Sequence, residues 1–187
     1  IWVKQEKTII FEGAQGSMLD IDHGTYPFVT SSSTTAGGLS SGLGIGPKHI
    51  DSILGITKAY TTRVGEGPFP TELFDANAEE LAKVGHEFGA TTGRPRRCGW
   101  LDLKALEVIM FINSVTNLCI TKLDVLDEFK EIKVCIDYDD DEKPIYKTFA
   151  GWEEDTSNVR SFDGVPEAAH NYISYIEETL DCPVGIV

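Results

Sequence analysis

Hydrophobic positions along the chain fall into short β-branched runs and longer stretches with helical spacing. The short runs predict strands at residues 8–11, 59–64, 118–123, 131–138, 145–149 and 183–187. Helical spacing of apolar residues predicts helices at residues 47–58, 78–88, 101–115 and 166–180. Strands that alternate with helices indicate an α/β fold built on a layered sheet. The segments 131–138 and 145–149 are expected to pair antiparallel across an acidic turn.

Small and polar residues dominate the stretch 25–46, for which the pattern predicts no regular element. A segment of this length without secondary structure is usually functional in a compact domain. Fifteen of the eighteen glycines lie between Gly13 and Gly99. Because glycine allows the backbone to approach a ligand closely, we expect the functional surface of the protein to lie in the first half of the chain.

Composition indicates a globular protein and argues against several partners. The 187 residues suffice for about one domain, and 41% of them are hydrophobic. The formal net charge is −14, so a broad surface for nucleic acid or anionic membrane is not expected. The charge is uneven, since residues 124–187 hold 17 acidic and 5 basic residues. No apolar run has the length that a membrane span requires.

The cysteines and the first residues of the sequence indicate the cellular compartment of the protein. Cys98, Cys119, Cys135 and Cys182 stand far apart without a CxxC motif, which favours free thiols in a reducing cytosol. No signal-peptide pattern is present at the start of the sequence. The sequence opens on Ile1 rather than Met, so we expect a piece of a longer polypeptide. We expect a cytoplasmic protein.

The strongest chemical signal is the glycine-bounded segment 89–97, Gly-Ala-Thr-Thr-Gly-Arg-Pro-Arg-Arg. Arginine binds carboxylate or phosphate with two parallel hydrogen bonds, and threonine hydroxyls with glycine amides can complete an anion site. The segment leads towards a predicted helix start, which also favours anions. The alternative is an exposed loop whose arginines pair with nearby acids.

Two further motifs follow predicted strands, where ligands bind in open α/β sheets. In Thr121-Lys-Leu-Asp124, the lysine could lie along a purine ring while the aspartate accepts both N–H groups of a guanine edge. The alternative is that Lys122 pairs with Asp124 or Asp127. In the segment 12–16, the Gln15 amide could donate to a purine carbonyl or could cap a turn.

Other patterns are uninformative or missing. The phosphate-binding motif GxxxxGK[ST] does not occur in these residues. The acidic segment 137–142 lacks the glycine and distal glutamate of an EF-hand loop, which favours a solvated turn. We interpret the four scattered histidines as structural or solvated: His23, His49, His86 and His170.

Taken together and in order, four segments resemble the adenylosuccinate synthetase family: residues 11–32, 62–73, 89–102 and 118–127. The resemblance extends across essentially the whole chain. It implies a mainly parallel sheet flanked by helices, P-loop-GTPase-like, with a small antiparallel hairpin near 131–149. It also implies a ligase that phosphorylates the 6-oxygen of IMP with GTP and then displaces this phosphate with the amino group of aspartate. The product would be adenylosuccinate, a precursor of AMP.

The resemblance implies a role for individual residues. For IMP it implies Gln15 at the 6-oxygen, Thr30 at the 5′-phosphate, Val64 through its backbone, and Arg94 at the ribose. For aspartate it implies a closing loop made of Ala90, Thr91, Thr92, Gly93, Arg94 and Arg96. For GTP it implies Arg96, Lys122, Leu123 and Asp124, with Asp124 reading guanine.

The match covers about the C-terminal half of the family's length, within a single α/β domain. By the resemblance, the phosphate loop, the catalytic residues and the Mg²⁺ ligands would precede Ile1, and the full-length enzyme would be a homodimer. Its partners would be IMP, GTP and L-aspartate, without nucleic acid or membrane. Two alternatives stay open: another guanine-nucleotide-binding protein, and a non-catalytic half that acts only in assembly.

Overall fold

The computed structural model describes Gln5, residues 7–89 and residues 93–187. These residues form two compact units, one reaching to Ile50 and the other running from Asp51 to Val187. Within the described ranges, no helix combines the length and the apolar composition needed to cross a membrane.

Over residues 7–50, the first unit contains one α-helix and two short 3-10 helices. Helix α1 is Ala36–Leu43 and ends at Gly44, whose φ of 68° is left-handed, while the 3-10 helices are Ser17–Leu19 and Pro47–His49. Helix α1 lies in the stretch 25–46, for which the sequence predicted no regular element. Its glycines and serines are poor helix formers, so the pattern hid it.

The predicted buried strand at residues 8–11 is wrong. These residues form no strand, and Ile10 is 88% exposed. A β-branched run becomes a strand only when a neighbouring strand satisfies its hydrogen bonds. Among the described residues, no strand pairs with this run.

In the described part of the second unit, eight strands form three small sheets. The strands are β1 Leu54–Lys58, β2 Thr61–Arg63, β3 Arg97–Gly99, β4 Leu101–Asp102, β5 Asn117–Thr121, β6 Glu131–Tyr138, β7 Pro144–Ala150 and β8 Val184–Ile186. The order β1-β5-β8 is parallel throughout, and β2 pairs antiparallel with β3. In β4-β6-β7, β4 pairs parallel with β6 and the predicted hairpin β6-β7 is confirmed.

Among the described residues of this unit, three α-helices flank these sheets: α2 Ala76–Val84, α3 Leu103–Asn113 and α4 Glu167–Leu180. They confirm the predicted helices at 78–88, 101–115 and 166–180, although α2 begins two residues earlier and ends four residues earlier than predicted. The helix predicted at 47–58 is wrong, because its second half is β1. Parallel pairing with β5 along the whole of β1 overrides the helical spacing of this segment.

A continuous core joins the strands and helices of the second unit. Its fully buried side chains include Leu81, Leu118, Ile120, Leu126, Ile132, Tyr172 and Ile173. Tyr172 of α4 donates its hydroxyl to the Ala59 carbonyl, at 2.6 Å, directly after β1. The core therefore fixes the point where β1 ends, which is where the candidate site begins.

Candidate functional site

The carboxyl ends of β1 and β5 lie side by side. Lys58, the last residue of β1, is in register with Thr121, the last residue of β5. The Ala59 N–H donates to the Thr121 carbonyl at 2.9 Å, so the two chains stay together as they leave the sheet. Lys122 follows immediately. This is the edge at which parallel α/β sheets bind ligands.

Helix α2 ends beside this edge and delivers a carboxylate to it. Its first turn is capped by the Asp75 carboxylate, and its last by Gly85. A Cβ on Gly85 would lie 2.3 Å from the hydroxyl of Tyr60, so only glycine allows this approach. Two residues later, the side chain of Glu87 is completely buried.

The Glu87 carboxylate accepts hydrogen bonds from four side chains. Its Oε1 accepts from Lys58 Nζ at 2.8 Å, from Tyr60 Oη at 2.5 Å and from Lys122 Nζ at 3.1 Å. Its Oε2 accepts from Arg96 Nη1 at 2.8 Å. We refer to these five residues as the Glu87 cluster.

Charge in the Glu87 cluster is unbalanced. Three formal cations surround one carboxylate, which leaves a surplus of two positive charges in a chain of net charge −14. Burial alone would raise the pKa of Glu87, but hydrogen bonds from the cluster lower this pKa to about 2. Burial lowers the pKa of Lys58. Glu87 therefore stays ionised, and the Glu87 cluster as a whole carries positive charge.

The anion loop, which we define as residues 89–97, begins two residues after Glu87. The Gly89 N–H donates to the Arg94 carbonyl at 2.8 Å, and Gly93 has a left-handed φ of 62°. The Arg96 N–H donates to the Glu87 carbonyl at 2.9 Å, which closes the base of the loop. The predicted aspartate-contacting residues Ala90, Thr91 and Thr92 lie outside the described residues.

The arginines of the anion loop have different surroundings. Arg97 pairs with the Glu72 carboxylate and also donates to the carbonyls of Gly65 and Gly67. Pairing with nearby acids, the alternative considered from the sequence, therefore holds for Arg97 and for Arg96. Arg94 is exposed.

The segment after β5 places the two predicted guanine-contacting side chains differently. Lys122 has a left-handed φ of 60° and precedes the 3-10 helix Leu123–Leu126. Its ammonium group also donates to the Gly85 carbonyl. Asp124, in the first turn of this helix, is exposed. The Leu123 side chain is buried in the core, which leaves only its backbone for a ligand.

The alternative interpretation of Lys122 does not hold. Among the described residues, its ion pair is with Glu87 rather than with Asp124 or Asp127. The Asp127 carboxylate instead accepts from Trp152 Nε1 at 2.7 Å and from the Thr156 N–H and hydroxyl. Asp127 is thus a structural group.

The remaining predicted residues occupy loops. Gln15 and Thr30 belong to the first unit, where Gln15 is exposed with a left-handed φ of 64°. Thr30 is half-buried and its N–H donates to the Leu19 carbonyl at 2.8 Å. Val64 directly follows β2 in the second unit and is 53% exposed.

A second buried carboxylate, Asp20, organises the first unit. It accepts hydrogen bonds from the backbone N–H groups of Asp22, His23, Thr34 and Thr35 and from the Ser33 hydroxyl. Burial alone would raise the pKa of Asp20, but these donors hold it well below its usual range. The carboxylate therefore ties together the two ends of the segment that carries Thr30.

Sequence reasoning missed Glu87, Lys58 and Tyr60. Glu87 fell inside a helix predicted to reach residue 88, whereas α2 ends at Val84. The available signal was a single acidic residue directly before an arginine-rich loop. The placement of Lys58 at the end of a strand was hidden by the incorrect helix at 47–58.

The arrangement can bind an anionic ligand beside an exposed hydrogen-bond acceptor, Asp124. A metal centre is a different matter. Within the described ranges, no group of three or more histidine, cysteine, aspartate or glutamate side chains is placed to hold a metal ion.

Comparisons with known proteins agree with the resemblance found in the sequence. The family model described as adenylosuccinate synthetase matches residues 2–187. Adenylosuccinate synthetases of Psychrobacter sp. (strain PRwf-1) and Acinetobacter baylyi are 56% and 53% identical over 97% and 98% of this chain. The chain spans about half the length of these relatives, 46% and 47%.

A solved structure gives the same result. The fully ligated adenylosuccinate synthetase of Plasmodium falciparum is 44% identical and superimposes with a TM-score of 0.94. The match covers 97% of this chain and 48% of that chain. The predicted α/β fold class is thereby confirmed, and the chain belongs to the adenylosuccinate synthetase family.

Proposed function

We propose that the full-length protein containing this chain joins IMP and L-aspartate with hydrolysis of GTP and forms adenylosuccinate, in AMP biosynthesis. The observation that carries the proposal is the Glu87 cluster. Arg96 and Lys122, which the resemblance assigns to GTP from two separate segments, meet at one carboxylate. Family membership over residues 2–187 supports the same reaction.

On the GTP side, the proposal uses the charge and exposure of the second unit. The surplus positive charge of the Glu87 cluster suits an anionic nucleotide. Lys122 lies along the purine ring, and the exposed Asp124 carboxylate accepts the N1–H and the exocyclic amine of guanine. An ionised acceptor facing two donors favours guanine over adenine.

On the IMP side, the residue roles are those that the family resemblance implies. The Gln15 amide donates to the 6-oxygen of IMP, where negative charge develops as N1 gives its proton to a catalytic base, which the resemblance places outside this chain. This oxygen then attacks the γ-phosphorus, and GDP leaves. The Thr30 hydroxyl donates to the 5′-phosphate. Arg94 binds the ribose and the aspartate carboxylate. The aspartate amine then attacks C6 of 6-phosphoryl-IMP, and inorganic phosphate leaves.

The proposal includes Mg²⁺, a cytoplasmic homodimer and the small molecules named above as the partners. The described side chains form no cluster of metal ligands, so they do not by themselves fit a magnesium site. The resemblance places those ligands outside this chain, and no step described here is routed through the ion.

The test is adenylosuccinate formation by the full-length protein from IMP, L-aspartate and GTP, followed by chromatography. Product is expected only when all three substrates are present. ATP in place of GTP should support at most a small fraction of the rate. No product with GTP, or equal rates with ATP and GTP, would contradict the proposal.

A further inference from the structure

Glu87 holds the two cations through different oxygens, Arg96 through Oε2 and Lys122 through Oε1. Each of these cations also has a backbone link to the segment that carries Glu87. The Arg96 N–H donates to the Glu87 carbonyl, and the Lys122 ammonium donates to the Gly85 carbonyl. One short segment, residues 85–87, therefore anchors both the anion loop and the segment after β5.

Exposure separates the anchor from the groups that it holds. The Glu87 side chain is fully buried, whereas those of Arg96 and Lys122 are 30% and 35% exposed. Glu87 thus cannot contact a ligand directly, but the outer edges of both cations can. Long cationic side chains lose rotamer entropy when they are fixed, and a buried acceptor that fixes them beforehand removes this cost from binding.

Packing around Glu87 maintains this geometry. Tyr60 is completely buried and donates to Oε1, and Lys58 donates both to Oε1 and to the Thr62 hydroxyl at 2.7 Å. The absence of a side chain at Gly85 is what lets α2 approach Tyr60. The carboxylate is therefore held from several directions while it holds Arg96 and Lys122.

We propose that Glu87 is a positioning residue, which sets the Arg96 and Lys122 side chains for the guanine nucleotide and couples the anion loop to the segment after β5. This inference rests on the proposed function. Without the negative charge of this carboxylate, three cations would face one another, and repulsion would move the exposed ends of Arg96 and Lys122 away from their ligand geometry.

A purely structural Glu87 makes a different prediction. Its loss would then lower stability and leave the kinetics of the folded enzyme unchanged. Asp102 provides a matched control, because its carboxylate also accepts from a tyrosine, Tyr138, and from a backbone N–H, that of Ala105 at 2.9 Å. It contacts neither Arg96 nor Lys122 through any of these bonds.

The experiment compares Glu87→Gln and Asp102→Asn in the full-length protein. Measurements are kcat, the KM for GTP, the KM for IMP, the Kd for GTP by calorimetry, and Tm. Loss of a charged hydrogen-bond partner is expected to raise the KM and Kd for GTP about tenfold or more in Glu87→Gln, with the KM for IMP within about twofold. Asp102→Asn should lower Tm and leave the KM for GTP within about twofold.

Unchanged GTP constants in folded Glu87→Gln would overturn the proposal. If Glu87→Gln does not fold, Glu87→Asp takes its place, since it keeps the charge but shortens the reach by one methylene. This variant should raise the Kd for GTP at least about threefold, and an unchanged Kd would equally overturn the proposal. A wild-type protein that binds GTP but forms no adenylosuccinate would refute the proposed function only, whereas one that does not bind GTP would refute both.

Discussion

Asp20 in the first unit and Glu87 in the second are both fully buried carboxylates, yet their partners differ in kind. Asp20 accepts from four backbone N–H groups and one hydroxyl. Glu87 accepts from three cationic side chains and one phenol. In both cases hydrogen bonds outweigh burial and lower the pKa.

The difference shows what each carboxylate controls. Backbone donors fix the path of the chain, so Asp20 sets the shape of the segment that carries Thr30. Cationic donors fix the position of charge, so Glu87 sets the side chains that the proposal places on GTP. Loss of Asp20 should therefore affect stability first, and loss of Glu87 should affect nucleotide recognition first.

The largest expected effect is complete loss of activity in the isolated chain 1–187. Neither Asp20 nor Glu87 positions groups that bind the β- and γ-phosphates of GTP. Phosphoryl transfer depends on such positioning. Purified chain 1–187 should form no adenylosuccinate under conditions in which the full-length protein does. Measurable product from the isolated chain would show that the two units alone are sufficient.

Next in size is Arg94→Leu in the full-length protein. Removal of one charged partner from a site that has closed over its ligand typically costs about 2–5 kcal/mol, here in the use of aspartate. The effect should appear in the KM for aspartate or in kcat, depending on whether Arg94 contacts the transition state more strongly. Arg160→Leu, at an exposed arginine that donates to the Ser157 and Val159 carbonyls, serves as the control. Unaltered aspartate dependence in folded Arg94→Leu would remove Arg94 from the site.

A smaller effect, confined to stability, is expected for Asp20→Asn. The amide keeps the volume but places a donor among backbone donors, which should lower the free energy of unfolding by about 1–3 kcal/mol. Denaturant unfolding measures this, with the exposed Asp22→Asn as the control. The KM for GTP should stay unchanged. A raised KM for GTP with unchanged stability would reverse the roles assigned to Asp20 and Glu87.

A further prediction concerns pH. The folded pKa of Glu87, about 2, lies below its ordinary value of 4.5, so its contribution to stability is complete above about pH 4.5 and is lost as the pH falls towards 2. Wild-type protein should lose more unfolding free energy across this range than Glu87→Gln does. Parallel pH profiles for the two proteins would show that Glu87 does not titrate with folding.

Sequence patterns predicted those parts of the fold that depend on local order. The alternation in 131–138 and 145–149 and the helical stripe in 166–180 need only nearby residues to specify their structure. The motif 121–124 was correctly placed after a strand, β5. Anion binding by the segment 89–97 stays a prediction from its own residues.

What could not be predicted depends on contacts between distant segments. Residues 47–58 have helical spacing, but pairing with β5, some sixty positions later, makes their second half a strand. The burial of Glu87 likewise results from Lys58, Tyr60, Arg96 and Lys122, which lie on three separate segments. No local sequence pattern indicates that these side chains lie together.

The proposed recognition of guanine by the Asp124 carboxylate can be tested with a single substitution. In full-length Asp124→Asn, kcat/KM for GTP should fall about 10- to 1000-fold, because hydrogen bonds to a charged acceptor contribute about 1.5–3 kcal/mol each. Xanthosine triphosphate (XTP) carries a carbonyl in place of the exocyclic amine of GTP. The amide donor of Asn at position 124 should therefore bind XTP better than GTP. Asp163→Asn is the matched control, since Asp163 also lies exposed in the first turn of a 3-10 helix. The XTP/GTP ratio of kcat/KM should rise at least about tenfold in Asp124→Asn alone, and a ratio unchanged within about threefold would contradict guanine recognition by Asp124.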